Sequence, residues 1–264
     1  NEELIVTSQL NRVLRIDPST KTVVVEAGIT LNELNQALAS YGLALPNLGS
    51  ISAQTLAGAM ATATHGTGLN YGVLPTLIRA MTLVTGMGES VHLSEQENNR
   101  WFKAAQCSLG SLGVVTELEL QVCDAFDLEV FEQPNDLETV SEHLPDRLQA
   151  DHYRFWYLPH SDLVWEWSAT RKPPGCTQPG LTPWNRIQQW YKEQLIGYHV
   201  MQFLLYLATF RSNWIPAINQ WYTQQQFATP CQSYGDSVSQ FNFNCLFKQY
   251  VNEWSIPIQN TADG

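Results

Sequence analysis

"ATATHGTG", Ala61–Gly68, contains three threonines, two alanines, two glycines and one histidine, and no large apolar side chain. A stretch so short of bulk implies that something comes close to its backbone. Its flanks widen the pattern: "PNLGSISAQTLAGAMATATHGTGLNYG", Pro46–Gly72, stays low in side-chain volume and carries hydroxyls at Ser50, Ser52, Thr55, Thr62, Thr64 and Thr67. Glycine permits unusual dihedrals and close backbone approach. Thr55 is placed to cap a short helix from Leu56 to about Met60, which would leave free N–H groups aimed outward. No Lys or Arg occurs between Lys21 and Arg79. An anion held here must therefore be met by backbone N–H groups and hydroxyls, which excludes a lysine-dependent phosphate loop. Composition leaves two readings open: a packed helix and turn with His65 hydrogen-bonded inside, or a main-chain grip on a planar cofactor bearing a pyrophosphate.

Outward from this stretch the pattern is α+β. "TVVVEAG", Thr22–Gly28, is a β-branched run ending in glycine and reads as a buried strand. Thr30 and Glu33 have capping-box spacing, Leu31, Leu34 and Leu38 recur at helical spacing, and Gly42 stands past the helix end. "RAMTLVTGMGESVHL" predicts two strands around a glycine turn, and "NNRWFKAAQCSLG" a helix running into another. In "VVTELELQV", Thr116, Leu118, Leu120 and Val122 alternate with Glu117, Glu119 and Gln121, which predicts a strand with one solvated face. "GSLGVV", Gly110–Val115, reads as a glycine turn feeding that strand.

Near Asp124 the chain turns rich in Trp, Tyr, Gln and Pro, and a domain boundary is expected there: residues 1–124, then 125–264. "RKPPGCTQPGLTP", 171–183, reads as a loop. "LIGYHVMQFLLYLATF", Leu195–Phe210, predicts an apolar helix with a polar stripe of His199, Gln202, Tyr206 and Thr209, flanked by tryptophans and tyrosines. At 16 residues it falls short of the roughly 20 that span a bilayer core. It reads either as a buried helix or as one lying in a membrane surface.

The formal charge of −11 with no basic block speaks against nucleic acid. Five scattered cysteines (Cys107, Cys123, Cys176, Cys231, Cys245) without CxxC spacing suggest free thiols in a reducing, intracellular compartment. Cys107 is expected to be a small packing residue. His152, His160 and Asp162 lack metal-ligand spacing, so no metal site is expected. The opening residues carry no signal peptide and read as the middle of a domain; the whole chain is expected to be a fragment.

In combination, "TVVVEAGITLNEL", "LPNLGSISAQTLAGAMATATHGTG" and "FKAAQCSLGSLGVVTELEL" resemble the flavin domain of the vanillyl-alcohol oxidase family, and most of all its aldonolactone oxidase branch. "YRFWYLPHSDLVWEW" and "CLFKQYVNEWSIP" extend the resemblance over nearly the whole chain. It implies the second subdomain of a PCMH-type FAD-binding domain, followed by part of an α+β substrate domain. It implies FAD held by Ser50, Thr55, Gly58, Thr62, Ala63, Thr64, His65 and, at the adenine end, Val115. The implied reaction oxidises a sugar 1,4-lactone (L-gulono-, L-galactono- or D-arabinono-lactone) to ascorbate or an analogue, with hydride passing from C2 to the flavin and O₂ or another electron acceptor reoxidising it. The membrane association of that branch fits the surface-helix reading, and the buried-helix reading stays open beside it. The resemblance also implies that a Gly-Gly-x-His-Ser loop precedes Asn1, and that Glu-x-Arg and His-Trp-x-Lys motifs follow Gly264. No catalytic residue is therefore assigned, His65 is expected to touch flavin rather than move protons, and this piece alone is expected to be inactive. An alditol oxidase and an inactive remnant of the fold stay open as alternatives.

Overall fold

A computed structural model of the chain describes residues 5–175, 184, 187, 190–243 and 251–257. Residues 176–183 of the proline-rich loop, residues 245–250, and with them Cys176 and Cys245, lie outside the described residues. The chain forms two compact units, the first running to Leu128 and also taking in the segments from Arg171 and Gly235–Phe243.

The first unit is built on a five-stranded antiparallel sheet. Its strands are β1 (Val13–Asp17), β2 (Thr22–Glu26), β4 (Ile78–Val84), β5 (Ser90–Ser94) and β6 (Val114–Gln121), in the order β1-β2-β6-β4-β5. The alternation in β6 decides its place. Leu118 and Leu120 are fully buried, and Leu118 stands opposite both Val25 of β2 and Met81 of β4. Burying one such leucine stabilises the fold by about 1.5–3 kcal/mol. Glu117 is exposed and Glu119 half-buried near Arg15, as a solvated face requires.

Helix α1 (Leu31–Ala39) opens with the capping box: Thr30 Oγ1 accepts from Glu33 N, and the Glu33 carboxylate accepts from Thr30 N. Its buried face is Leu31, Leu34, Asn35 and Leu38, and Gly42 follows at φ +66°. A two-residue strand β3 (Leu43–Ala44) leads into the small-residue stretch and pairs with β7 (Cys123–Asp124). Within that stretch is α2 (Leu56–Ala61), and after β5 comes α3 (Asn99–Ala105). Glu26, the last residue of β2 and 5% exposed, accepts from the Arg12 guanidinium and backbone, which holds its carboxyl below the usual range.

The second unit centres on a four-stranded sheet of β8 (Asp127–Asn135), β9 (His152–Tyr157), β10 (Val164–Lys172) and β11 (Cys231–Asp236), ordered β11-β8-β10-β9. Helices α4 (Leu137–Glu142) and α5 (Leu144–Arg147) connect β8 to β9. Glu166 of β10 is buried and fully engaged. It accepts from Tyr153 Oη at 2.8 Å, Asn135 Nδ2 at 2.9 Å and Gln133 Nε2 at 3.2 Å, and pairs with Arg147 Nε at 3.0 Å. His152 is fully buried and His160 sits at φ +67°.

The apolar segment is helical but longer than its periodicity suggests, and not uniformly α. Tyr191–Val200 winds as a π-helix and continues as α6 (Met201–Ala208). Within it a Cβ on Gly197 would stand 3.1 Å from the Lys192 carbonyl. Met201 and Ala208 pack with Ile218 of α7 (Ile215–Gln226), whereas Phe203, Tyr206 and Phe210 are exposed. A further short helix, α8 (Ser237–Phe241), follows β11 in the first unit.

Candidate functional site

The small-residue stretch forms α2 because Thr55 caps it, with Thr55 Oγ1 accepting from Gly58 N at 3.3 Å. The expectation of free N–H groups at its start is overturned. Leu56 N donates to Ile29 O at 2.7 Å, Ala57 N to Ala27 O at 3.0 Å and Ala59 N to Thr55 O at 2.9 Å, so the first turn has no donor to spare. Leu56, Ala59 and Met60 are buried, which turns Gly58, Ala61 and Thr62 outward.

Past the helix, Ala63 takes the left-handed conformation at φ +54°, which sterics disfavour for any residue with a Cβ. Thr62 Oγ1 donates back to Gly58 O at 3.0 Å, and Thr64 N reaches Ala59 O at 3.0 Å. His65 is exposed rather than packed inside. Its Nδ1 lies 2.9 Å from Gly66 O, an atom that can only accept, so Nδ1 carries the proton. The amides of Gly66, Gly68 and Gly110 donate to no protein acceptor among the described residues.

A second small-residue turn closes on the first. Leu109 N donates to Ala61 O at 3.2 Å, and Cys107 Sγ lies 3.4 Å from the same oxygen. Cys107, expected to be a small packing residue, is exposed, with its thiol against the helix end. Leu109 and Gly110 both have positive φ, +52° and +74°. Between the two stretches lies a cleft of about 420 Å³, with hydroxyls from Thr55, Thr62 and Ser108 and an apolar flank of Ile78, Met81 and Leu118. No charged side chain lines it.

Four of the eight predicted cofactor residues, Thr55, Gly58, Thr62 and Val115, line this cleft. Ser50, Ala63, Thr64 and His65 are not among its lining residues. They run along the adjoining strip, where Thr64 Oγ1 lies 3.4 Å from Thr62 Oγ1 and Ser50 O accepts from Phe243 N. Sequence reading missed Thr7, Gln106, Ser108, Leu109 and Gly110, all in the cleft wall. The signal for the last three was present in "CSLGSLG", a second glycine- and serine-rich run, though one that carries two leucines.

Not every glycine here faces a ligand. A Cβ on Gly66 would overlap the Asn47 carboxamide and the Leu48 carbonyl, and one on Gly58 would stand 2.9 Å from Thr55 Oγ1. Part of the demand for small residues is thus the protein's own packing. The remaining donor set (hydroxyls and glycine amides beside an apolar wall, with no cation or carboxylate) fits a ligand with a neutral planar ring and a dispersed phosphate charge. Among the described residues no three His, Cys, Asp or Glu side chains converge as metal ligands.

Residues 118–263 match the D-arabinono-1,4-lactone oxidase family, and residues 1–94 match the FAD binding domain family. The chain is 36% identical to an L-gulonolactone oxidase of Scyliorhinus torazame over 255 residues, covering 96% of this chain and 56% of that protein. It is 30% identical to a D-arabinono-1,4-lactone oxidase of Yarrowia lipolytica, covering 97% of this chain and 50% of that one. The chain thus spans about half the length of the curated relatives it matches. The solved structure of cholesterol oxidase from B. sterolicum superposes with a TM-score of 0.67 at 16% identity, covering 91% of this chain and 49% of that one, which establishes a shared α+β fold.

Proposed function

This chain belongs to the D-arabinono-1,4-lactone oxidase family, and from that premise we propose that it is the part of an FAD-dependent aldonolactone oxidase that grips the cofactor. The observation that carries the reading is the uncharged, hydroxyl-lined cleft where Leu109 meets Ala61. When bound, FAD supplies the acceptor for a hydride drawn from a CH–OH carbon. The chain's own part is to bind and orient. The Thr55 and Ser108 hydroxyls and the Gly110 amide donate to the cofactor's polar edge, while Ile78, Met81 and Leu118 keep water from its flank. Thr64, His65 and the free amides of Gly66 and Gly68 extend the same donor surface along the strip. The substrate is a sugar 1,4-lactone, as the names of the relatives suggest, and O₂ is the acceptor.

The test is titration of the chain with FAD, followed by quenching of flavin fluorescence. Thr62→Trp, which fills the cleft without touching the core, should abolish quenching that the parent gives at micromolar FAD. A parent that leaves the signal unchanged up to ~100 µM, a binding free energy weaker than about −5.5 kcal/mol, sinks the reading. In a protein carrying this chain at the length of its relatives, L-gulono- or D-arabinono-1,4-lactone should release peroxide, and an open-chain polyol should not.

We further propose that the helix pair of the second unit attaches to a membrane surface. Phe203, Tyr206, Phe210 and Trp214 are exposed on it, beside an apolar cavity of about 590 Å³ lined by Val200, Leu204 and Trp221. No helix among the described residues is long and apolar enough to cross a membrane, so the attachment would be monotopic. Phe203→Glu with Phe210→Glu should remove the chain from floated liposomes. If the parent itself stays unbound at low and high salt, the attachment is wrong.

A further inference from the structure

Residues 46–52 precede α2 and underlie the strip. Asn47, 3% exposed, donates from Nδ2 to Thr67 O at 3.0 Å and accepts from Leu48 N at 3.0 Å. Gly66 packs directly on Asn47 and Leu48, and a Cβ on Gly49 would stand 3.1 Å from Thr64 Cγ2 and 3.2 Å from His65 O. The strip Thr64–Thr67 therefore rests on 47–49 as on a platform.

That platform is gripped by residues much later in the chain. Arg171 donates through a terminal guanidinium nitrogen to Pro46 O. The guanidinium lies between two rings, 4.2 Å from the centroid of Tyr71 and 4.0 Å from that of Phe126. Phe126 is 8% exposed and is backed edge-on by Phe241. Farther along, Phe243 N donates to Ser50 O at 3.1 Å and Ser52 Oγ to Asn242 Oδ1 at 2.9 Å. All these residues belong to the first unit. A cation held between aromatic faces and partly desolvated gains about 0.5–2 kcal/mol, and the planar fork loses little entropy in making its hydrogen bond.

We propose that Arg171 is a positioning residue for the cofactor-facing strip: held between Tyr71 and Phe126, it fixes the Pro46 carbonyl and so the platform beneath Thr64–Thr67. Its influence on cofactor affinity rests on the FAD reading above; its influence on the strip does not.

The experiment compares Arg171→Met, Arg171→Lys and the milder Tyr71→Leu in the 264-residue chain. Amide hydrogen exchange is followed at Leu48, Thr64 and Leu74, each hydrogen-bonded in the platform or strip. Arg171→Met should speed exchange there on the order of tenfold, with amides of β2 and β6 within about twofold of the parent, and should weaken FAD binding on the order of tenfold. Arg171→Lys, which keeps the charge but loses the planar fork stacked between the rings, should recover only part of both losses; Tyr71→Leu should loosen the same amides by roughly threefold. Unchanged exchange in the strip, an equal rise throughout the first unit, or full rescue by lysine would each overturn the proposal. If the parent binds no FAD, the cofactor reading fails while the exchange pattern still decides the role of Arg171. If Arg171→Met does not fold, Tyr71→Leu decides it.

Discussion

The amide of Leu109 donates to the carbonyl of Ala61 at 3.2 Å, joining two glycine-rich runs 48 positions apart into one cleft. Leu109 holds this bond at φ +52° with its side chain 77% exposed, so its contribution is that of backbone and not burial. Proline at this position has neither the N–H nor access to positive φ. Leu109→Pro should lose about 3 kcal/mol or more, whereas Leu109→Gly, free of the left-handed penalty, should stay within about 1 kcal/mol of the parent. Urea midpoints at unchanged slope measure both. Equal losses would mean that the bond does not hold the turn.

Gly66 and Gly110 differ in why they are glycine. Gly66 has protein against it on the Cβ side, while Gly110 has open space and φ +74°. Gly66→Ala should cost about 2–4 kcal/mol by overpacking, and Gly110→Ala about 1–2 kcal/mol from the left-handed backbone alone. Thermal unfolding of the two variants separates them, and a reversed order would place the close approach at the wrong stretch.

Glu166 is the polar centre of the second unit, buried with three hydrogen-bond donors and the paired Arg147 cation upon it. Burial and that carboxylate push the Tyr153 hydroxyl well above its ordinary value. Glu166→Gln leaves the Arg147 cation without its counter-charge and should cost about 3 kcal/mol in chemical denaturation. A loss below about 1 kcal/mol would show that the site relaxes or takes in water.

Cys231 is exposed, yet its thiol points at Glu132, with Sγ 3.1 Å from Oε2. Desolvation and that carboxylate push it up to about 12. The sign follows: a raised value leaves little thiolate at pH 8, so alkylation should climb about tenfold per pH unit through pH 10 without a plateau. Glu132→Gln should bring the plateau down. Peptide mapping after iodoacetamide labelling reads Cys231 separately from the other cysteines, and a plateau near pH 9 in the parent would contradict the contact.

Most of the first unit was legible in the residues, because its elements are set by short-range rules. Thr30 and Glu33 announce a helix start by themselves, and Leu118 and Leu120 declare the inner face of β6 by alternation alone. The site was half legible. Bulk is missing wherever backbones approach, so Thr55, Gly58 and Thr62 stood out, but the same signature marks Gly66, whose close neighbour is Asn47. What a linear reading could not supply were the partners of the helix-start amides, since Ile29 and Ala27 meet Leu56 and Ala57 only after folding. Nor could it see Arg171, whose neighbours Tyr71 and Phe126 lie 100 and 45 positions away.

The middle position of β6 in its sheet has a consequence for synthesis. β2 and β4 flank it and do not touch each other, so when both have been made each still lacks a partner along one edge. Valines and leucines on those edges stay open to a neighbouring chain until Gln121 has left the ribosome. The vulnerable interval is the time taken to make the residues between Val84 and Gln121, a few seconds at about 5–20 residues per second. A nascent chain arrested there should be captured by holdase chaperones, and one arrested some 40 residues later, with β6 clear of the exit tunnel, should not.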